Sequence, residues 1–170
     1  MLTKAERAVL ECGFAADDAL KAYLAIHNRI FAQQATVISL LKNLFGAGVS
    51  FEELLEESKA ANRLWVDFTF QAERTRTAYR GMVSEEEARF LDVLVEYSIA
   101  VRAATASLVE RQDLLLKRKH SPKEVSWQAF TAAQDQYEAA VIRYREQGST
   151  LNPLIHRVFD LADSRLKKNA

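Results

Sequence analysis

Metal binding and proton transfer at neutral pH fall mainly to histidine, cysteine and carboxylates, and this chain has three histidines and one cysteine. None of His27, His120 and His156 stands in Glu-x-x-His, the spacing by which ferritin-like bundles hold two metal ions. His-Glu-x-x-His, Cys-x-x-Cys and glycine-rich phosphate loops are absent too. The expectation is a non-enzyme with no cofactor and no metal. Cys12 has no partner for an internal disulfide and reads as a small buried hydrophobe, which fits a reducing, cytoplasmic setting.

Two groups of polar residues remain. His27 and Gln34 lie one heptad apart on an otherwise apolar helix face. They could line a small-molecule pocket with Tyr23 and Trp65, as in a sensor bundle, or set the register of a helix interface. Lys117, Arg118, Lys119, His120 and Lys123 form a basic cluster at a helix end. They could complement the helix dipole, or meet an anionic membrane surface at about 1 kcal/mol per cation.

The elements that must position these residues follow from composition and periodicity. The chain has only five Gly and two Pro in 170 residues, too little punctuation for a strand-rich fold. Its length fits a single domain, 1–170, and the class expected is all-α. Lys+Arg and Asp+Glu number 23 each, a balance that argues against nucleic acid as a partner. The first 21 residues carry acids and no uninterrupted apolar run, unlike a signal peptide. No stretch approaches the roughly 20 apolar residues of a membrane span.

Thr3-x-x-Glu6 is a capping box, and apolar residues at spacings of three and four run from Val9 to Leu44, up to Gly46-Ala47-Gly48. Ser50-x-x-Glu53 opens a second helix, in which Trp65, Val66, Phe68 and Phe70 make more than one face apolar. That excess predicts a second packing partner, such as a dimer. Arg80-Gly81 followed by Ser84-x-x-Glu87 permits two arrangements. Either the helix continues through Gly81, at a cost of about 1 kcal/mol, or the chain turns at 81–83. From Phe90 the stripe runs through Leu94, Val101 and Leu108, with Ser98, Thr105 and Gln112 as polar members. Ser121-Pro122 is read as the start of the next helix, with breaks expected at Gly148 and Asn152-Pro153.

The stretch Phe90–Arg118 resembles the second helix of sorting-nexin BAR domains, through Glu96-Tyr97, Val101, Arg111 and the run Leu114–Leu116. Phe70-Gln71-Ala72-Glu73 resembles the family's stretch before this block, and Leu44-Phe45-Gly46 the end of its first helix. The likeness spans roughly residues 10–145. The phosphoinositide-binding module usual before this domain is not in the chain, and the neutral charge and Asn152-Pro153 also depart from the pattern. The resemblance implies three long antiparallel helices, about 3–45, 50–119 and 121–168, paired with a copy or related chain into a curved dimer. Trp65, Val66, Phe68 and Phe70 would then lie in the dimer interface. The basic cluster would sit at the distal tip, on endosomal membranes, in protein sorting. The alternative is a four-helix bundle with a turn at 81–83, acting as a soluble interaction or assembly module.

Overall fold

The computed structural model describes residues 1–34 and 50–168. Helix α1 (Lys4–Gln34) opens on the expected capping box. The Thr3 N–H donates to Glu6 Oε2 at 2.6 Å, and Thr3 Oγ1 accepts from the Glu6 N–H at 3.2 Å. The stretch from residue 35 through the expected stop at Gly46-Ala47-Gly48 lies outside the described residues. Helix α2 (Phe51–Tyr79) starts at Ser50, whose Oγ accepts from the Glu53 N–H at 3.3 Å. The second half of that capping box is not made; the Glu53 carboxylate instead accepts from Arg29 of α1 at 2.9 Å.

The chain turns after α2. Arg80–Met82 forms one 3₁₀ turn, Val83 and Ser84 are extended, and α3 runs from Glu85 to His120. The continuous 50–119 helix is therefore replaced by two helices packed side by side, the four-helix arrangement with its turn at 80–84. The physical reason is the cap, not the glycine. A Cβ at Gly81 would meet nothing within 4 Å, and no left-handed φ is required there. At Ser84 the capping box is complete: Ser84 Oγ accepts from the Glu87 N–H at 3.3 Å, while Glu87 Oε2 accepts from the Ser84 N–H at 2.9 Å. Arg80 braces the turn by donating to Asp92 at 3.0 Å.

Helix α4 (Trp127–Lys168) begins later than expected. Ser121 and Pro122 belong to a connecting turn, in which the Glu124 N–H donates to the Ser121 carbonyl at 3.0 Å. The cap is Ser126, whose Oγ accepts from the Ala129 N–H at 3.0 Å. The turn buries Val125 and receives Arg118 Nη1 on the Val125 carbonyl at 2.7 Å. Once begun, α4 passes through both expected breaks. Gly148 faces the ring of Tyr97, where an added Cβ would sit 3.4 Å from Cε2. Pro153 lies on the exposed side, so the carbonyl it leaves unbonded, that of Ser149, is also on an exposed residue.

Neighbouring helices are antiparallel throughout. Arg29 pairs with Glu57 near one end of α1–α2, and Cys12 meets Thr75 near the other. Thr105 reaches Asn62 at 3.1 Å between α3 and α2. Arg111 meets Gln134 and Glu87 meets Arg165 between α3 and α4. Phe14 touches Phe159, with ring centroids 5.1 Å apart, between α1 and α4. The core runs along all four helices, with Trp65, Tyr23, Tyr137 and Phe90 its largest fully buried side chains.

Glu87 ties the bundle end together. It is 2% exposed and accepts from Arg165 at 2.7 and 3.2 Å, while Arg165 also lies 2.9 Å from Glu6. Burial pushes the Glu87 carboxyl up, but hydrogen bonds from Arg165 and Ser84 outweigh it and hold the group below its ordinary value.

If the capping box rather than Gly81 sets the turn, Gly81→Ala leaves urea-unfolding stability within about 0.5 kcal/mol. Ser84→Ala then lowers it by about 1 kcal/mol. The reverse order of effects would show that the glycine sets the turn.

Candidate functional site

Three places gather the residues singled out by the sequence. The first is the bundle interior between α1 and α4. Tyr137 Oη lies 2.8 Å from Tyr23 Oη and 2.6 Å from His27 Nδ1, and the Phe31 ring stacks on Tyr137 with centroids 5.6 Å apart. Tyr144 approaches Tyr23 edge-on, and Tyr97 links Tyr144 to Trp65. One aromatic chain thus crosses all four helices. Tyr23 and His27 meet here through a common partner, Tyr137. Gln34 is the last residue of α1, and its side chain lies outside the described ones. Trp65 belongs to the α2–α3 side of the core.

Electrostatics mark this interior as a place for neutral groups. Burial first, and then the neighbouring tyrosines, push the Tyr23 hydroxyl far above its usual range. Burial also pushes Tyr137 up to about 12, against a hydrogen bond from Tyr23. His27 is pulled below 6.5 by burial, then by the charge of Arg145. Arg111 is buried beside the cluster and donates through Nε to Gln134 Oε1. Its guanidinium lies 5.1 Å from the Phe31 ring centroid and 5.4 Å from that of Phe130. Burial pulls its pKa down to about 10. Sequence reasoning placed Arg111 on a family pattern and missed this seat, because a cation over two rings leaves no local periodic signal.

The polar members of the α3 seam divide. Ser98 Oγ donates to the Val95 carbonyl at 2.8 Å, and Thr105 Oγ1 lies 2.9 Å from that of Arg102. Gln112 is fully buried, and neither its Nε2 nor its Oε1 has a hydrogen-bond partner among the described residues.

The second place is the α3–α4 tip. Lys117 pairs with Asp113 at 2.6 Å, and Lys119 and His120 both meet Glu52, at 3.4 and 3.2 Å. Hydrogen bonds from Ser50, from its own backbone, and from His120 and Lys119 hold Glu52 down to about 2. Arg118 lies 4.9 Å from the centroid of the exposed Trp127 ring. Lys123 is exposed and makes no ion pair among the described residues.

The third place is the outward face of α2. Trp65 and Phe68 point into the intrachain core, at 0% and 4% exposure, and Val66 is half-buried. The apolar excess of α2 is thus used mostly inside the bundle. Phe70 alone of the four is exposed, at 57%. It stands between two shallow depressions. One, of about 560 Å³, includes Asp67, Gln71, Arg74 and Tyr79; the other, of about 370 Å³, includes Glu73, Arg74 and Thr77. Asp67 and Arg74 are exposed and make no ion pair among the described residues.

Among the described residues no group of three or more His, Cys, Asp or Glu side chains could hold a metal ion, and no helix is long and apolar enough to cross a membrane. No family model, characterised protein or solved structure matches the chain.

The interior predicts a pH dependence with a definite sign. His27 binds its proton less readily folded than unfolded, so the unfolded state takes up more protons as pH falls. Stability contributed by neutral His27 is present above the ordinary value of 6.5 and declines as pH drops below it. Glu87, held low, contributes stability above its unfolded value of 4.5 that is lost as pH falls through its lower folded value. Denaturant titrations from pH 8 to 3 should show two successive losses. His27→Gln should flatten the first and leave the second.

Proposed function

We propose that this chain is a non-catalytic helical interaction module that associates with a second copy through the outward face of α2. The observation that carries the reading is Phe70, exposed between Asp67 and Arg74, two charges seven residues apart without intrachain ion pairs among the described residues. Two α2 helices packed antiparallel about an axis between Phe70 and Gln71 bring each Asp67 opposite the other copy's Arg74. The two Phe70 rings then lie side by side. Burying such rings supplies the attraction. The paired charges supply register and exclude the parallel alternative.

The dimeric character expected from the BAR-type resemblance is retained here, on a narrower surface that uses Phe70 without Trp65 or Phe68. Light scattering across a concentration series tests it. The wild-type chain should reach twice its monomer mass, and Asp67→Arg or Arg74→Asp should weaken association about tenfold or more. The double exchange Asp67→Arg/Arg74→Asp should restore it, because the pairing is symmetric. A monomer at every concentration, or failure of the exchange to restore association, would reject the proposal.

A second reading, attachment to anionic membranes in endosomal sorting, draws on the tip. An exposed indole under Arg118, next to Lys123, is a pairing suited to a headgroup region. Asp113 and Glu52 already neutralise much of Lys117, Lys119 and His120, so this attachment is weak and salt-sensitive. Sedimentation with vesicles containing phosphatidylserine or phosphoinositide should bring the protein down at low salt. Trp127→Ala together with Lys123→Ala should abolish it. Absence of the protein from the pellet at low salt rules the reading out.

A further inference from the structure

A cleft of about 330 Å³ lies between α1 and α4, well away from the α2 face, and Tyr97 of α3 also lines it. Its walls are Ala16, Leu20, Leu151 and Ile155, with Phe14 and Phe159 in edge contact. The two helices share this space through aromatic side chains rather than close backbone approach, and both glycines of the region, Gly13 and Gly148, lie in the lining. Tyr97 as a whole is 5% exposed, and its hydroxyl, which is not fully buried, makes no hydrogen bond with any described residue. The polar residues of the lining are Asp17 and Asn152, both exposed, and Asp17 is offset by its ion pair with Lys21.

We infer that this cleft is a binding site for a small, neutral, flat aromatic molecule carrying one hydrogen-bonding atom. Three observations converge on that chemistry. An apolar cavity of ~150 Å³ accepts a single benzene ring, so this volume suits a fused two-ring molecule. The lining adds no uncompensated charge, so an ion would lose its hydration without replacement. The Tyr97 hydroxyl, which makes no hydrogen bond with a described residue, is free to bond a ligand that brings a donor or acceptor. At Gly148 the Tyr97 ring lies against α4, where an added Cβ would stand 3.4 Å from Cε2. The inference is independent of self-association through α2, which lies elsewhere on the bundle.

The test compares 2-naphthol, which has a hydroxyl, with naphthalene, which does not, by ligand-observed NMR titration of the full chain. Both should bind saturably, 2-naphthol more tightly. Tyr97→Phe should weaken 2-naphthol about fivefold or more and leave naphthalene within about twofold, a split that general loss of structure would not produce. Ile155→Trp, which fills the cleft from its half-buried wall, should weaken both about tenfold while circular dichroism shows an intact helical fold. Saturable binding of neither probe overturns the inference, as does binding of both unchanged in Ile155→Trp. Equal loss of both probes in Tyr97→Phe rejects the role assigned to the hydroxyl.

Discussion

Glu87 is the point on which the bundle closes. Its carboxylate caps α3 by accepting from the Ser84 N–H, and the same group accepts the guanidinium of Arg165 from the last turns of α4. Arg165 in turn reaches Glu6 in the first turn of α1. A carboxylate this buried is costly unless both oxygens are occupied, and removing one partner would leave an uncompensated charge. The turn at 80–84 and the meeting of three helix ends are therefore one constraint. If α3 began elsewhere, Glu87 would lose its cap and its position opposite Arg165 together.

Beyond that end, the helices are held apart or drawn in by what stands between them. Two glycines pack against rings: an added Cβ at Gly13 would lie 3.4 Å from Phe90, and one at Gly148 the same distance from Tyr97. Between α1 and α4 the spacers are rings, with Tyr23, His27 and Phe31 meeting Tyr137 and Tyr144. Ring-filled spacing gives hydroxyls a protected place to pair. The cleft beside Phe14 and Phe159 lies further along the same interface.

The surface shows a related economy. Most of the apolar weight of α2 faces inward, with Phe70 and Leu64 left exposed, and most cations of the α3–α4 tip are answered by nearby carboxylates. What the bundle offers outward is thus local. Its outward features include the Phe70 ring between Asp67 and Arg74 and the Trp127 indole beside Arg118. Neither depends on the net charge, which is zero.

The helical class, the capping boxes at Thr3 and Ser84, and the start of α2 at Ser50 are legible in the sequence. These depend on periodicity and on bonds between residues three apart, which any window of the chain contains. It also placed Ser84-x-x-Glu87 correctly as a start, while leaving open whether the chain turned. The tertiary structure decided that the helix breaks there, because only Arg165, 78 residues away, makes Glu87 more valuable as a buried cap than as a surface acid. Gly148 and Pro153 do not break α4: Gly148 packs against the Tyr97 ring and the proline faces outward. The tertiary structure turned Trp65 and Phe68 into core and left Phe70 outside. Helical phase says which residues share a face, but not which of several apolar faces the other helices will cover. That choice rests on contacts between residues distant in the chain, where local pattern carries no information.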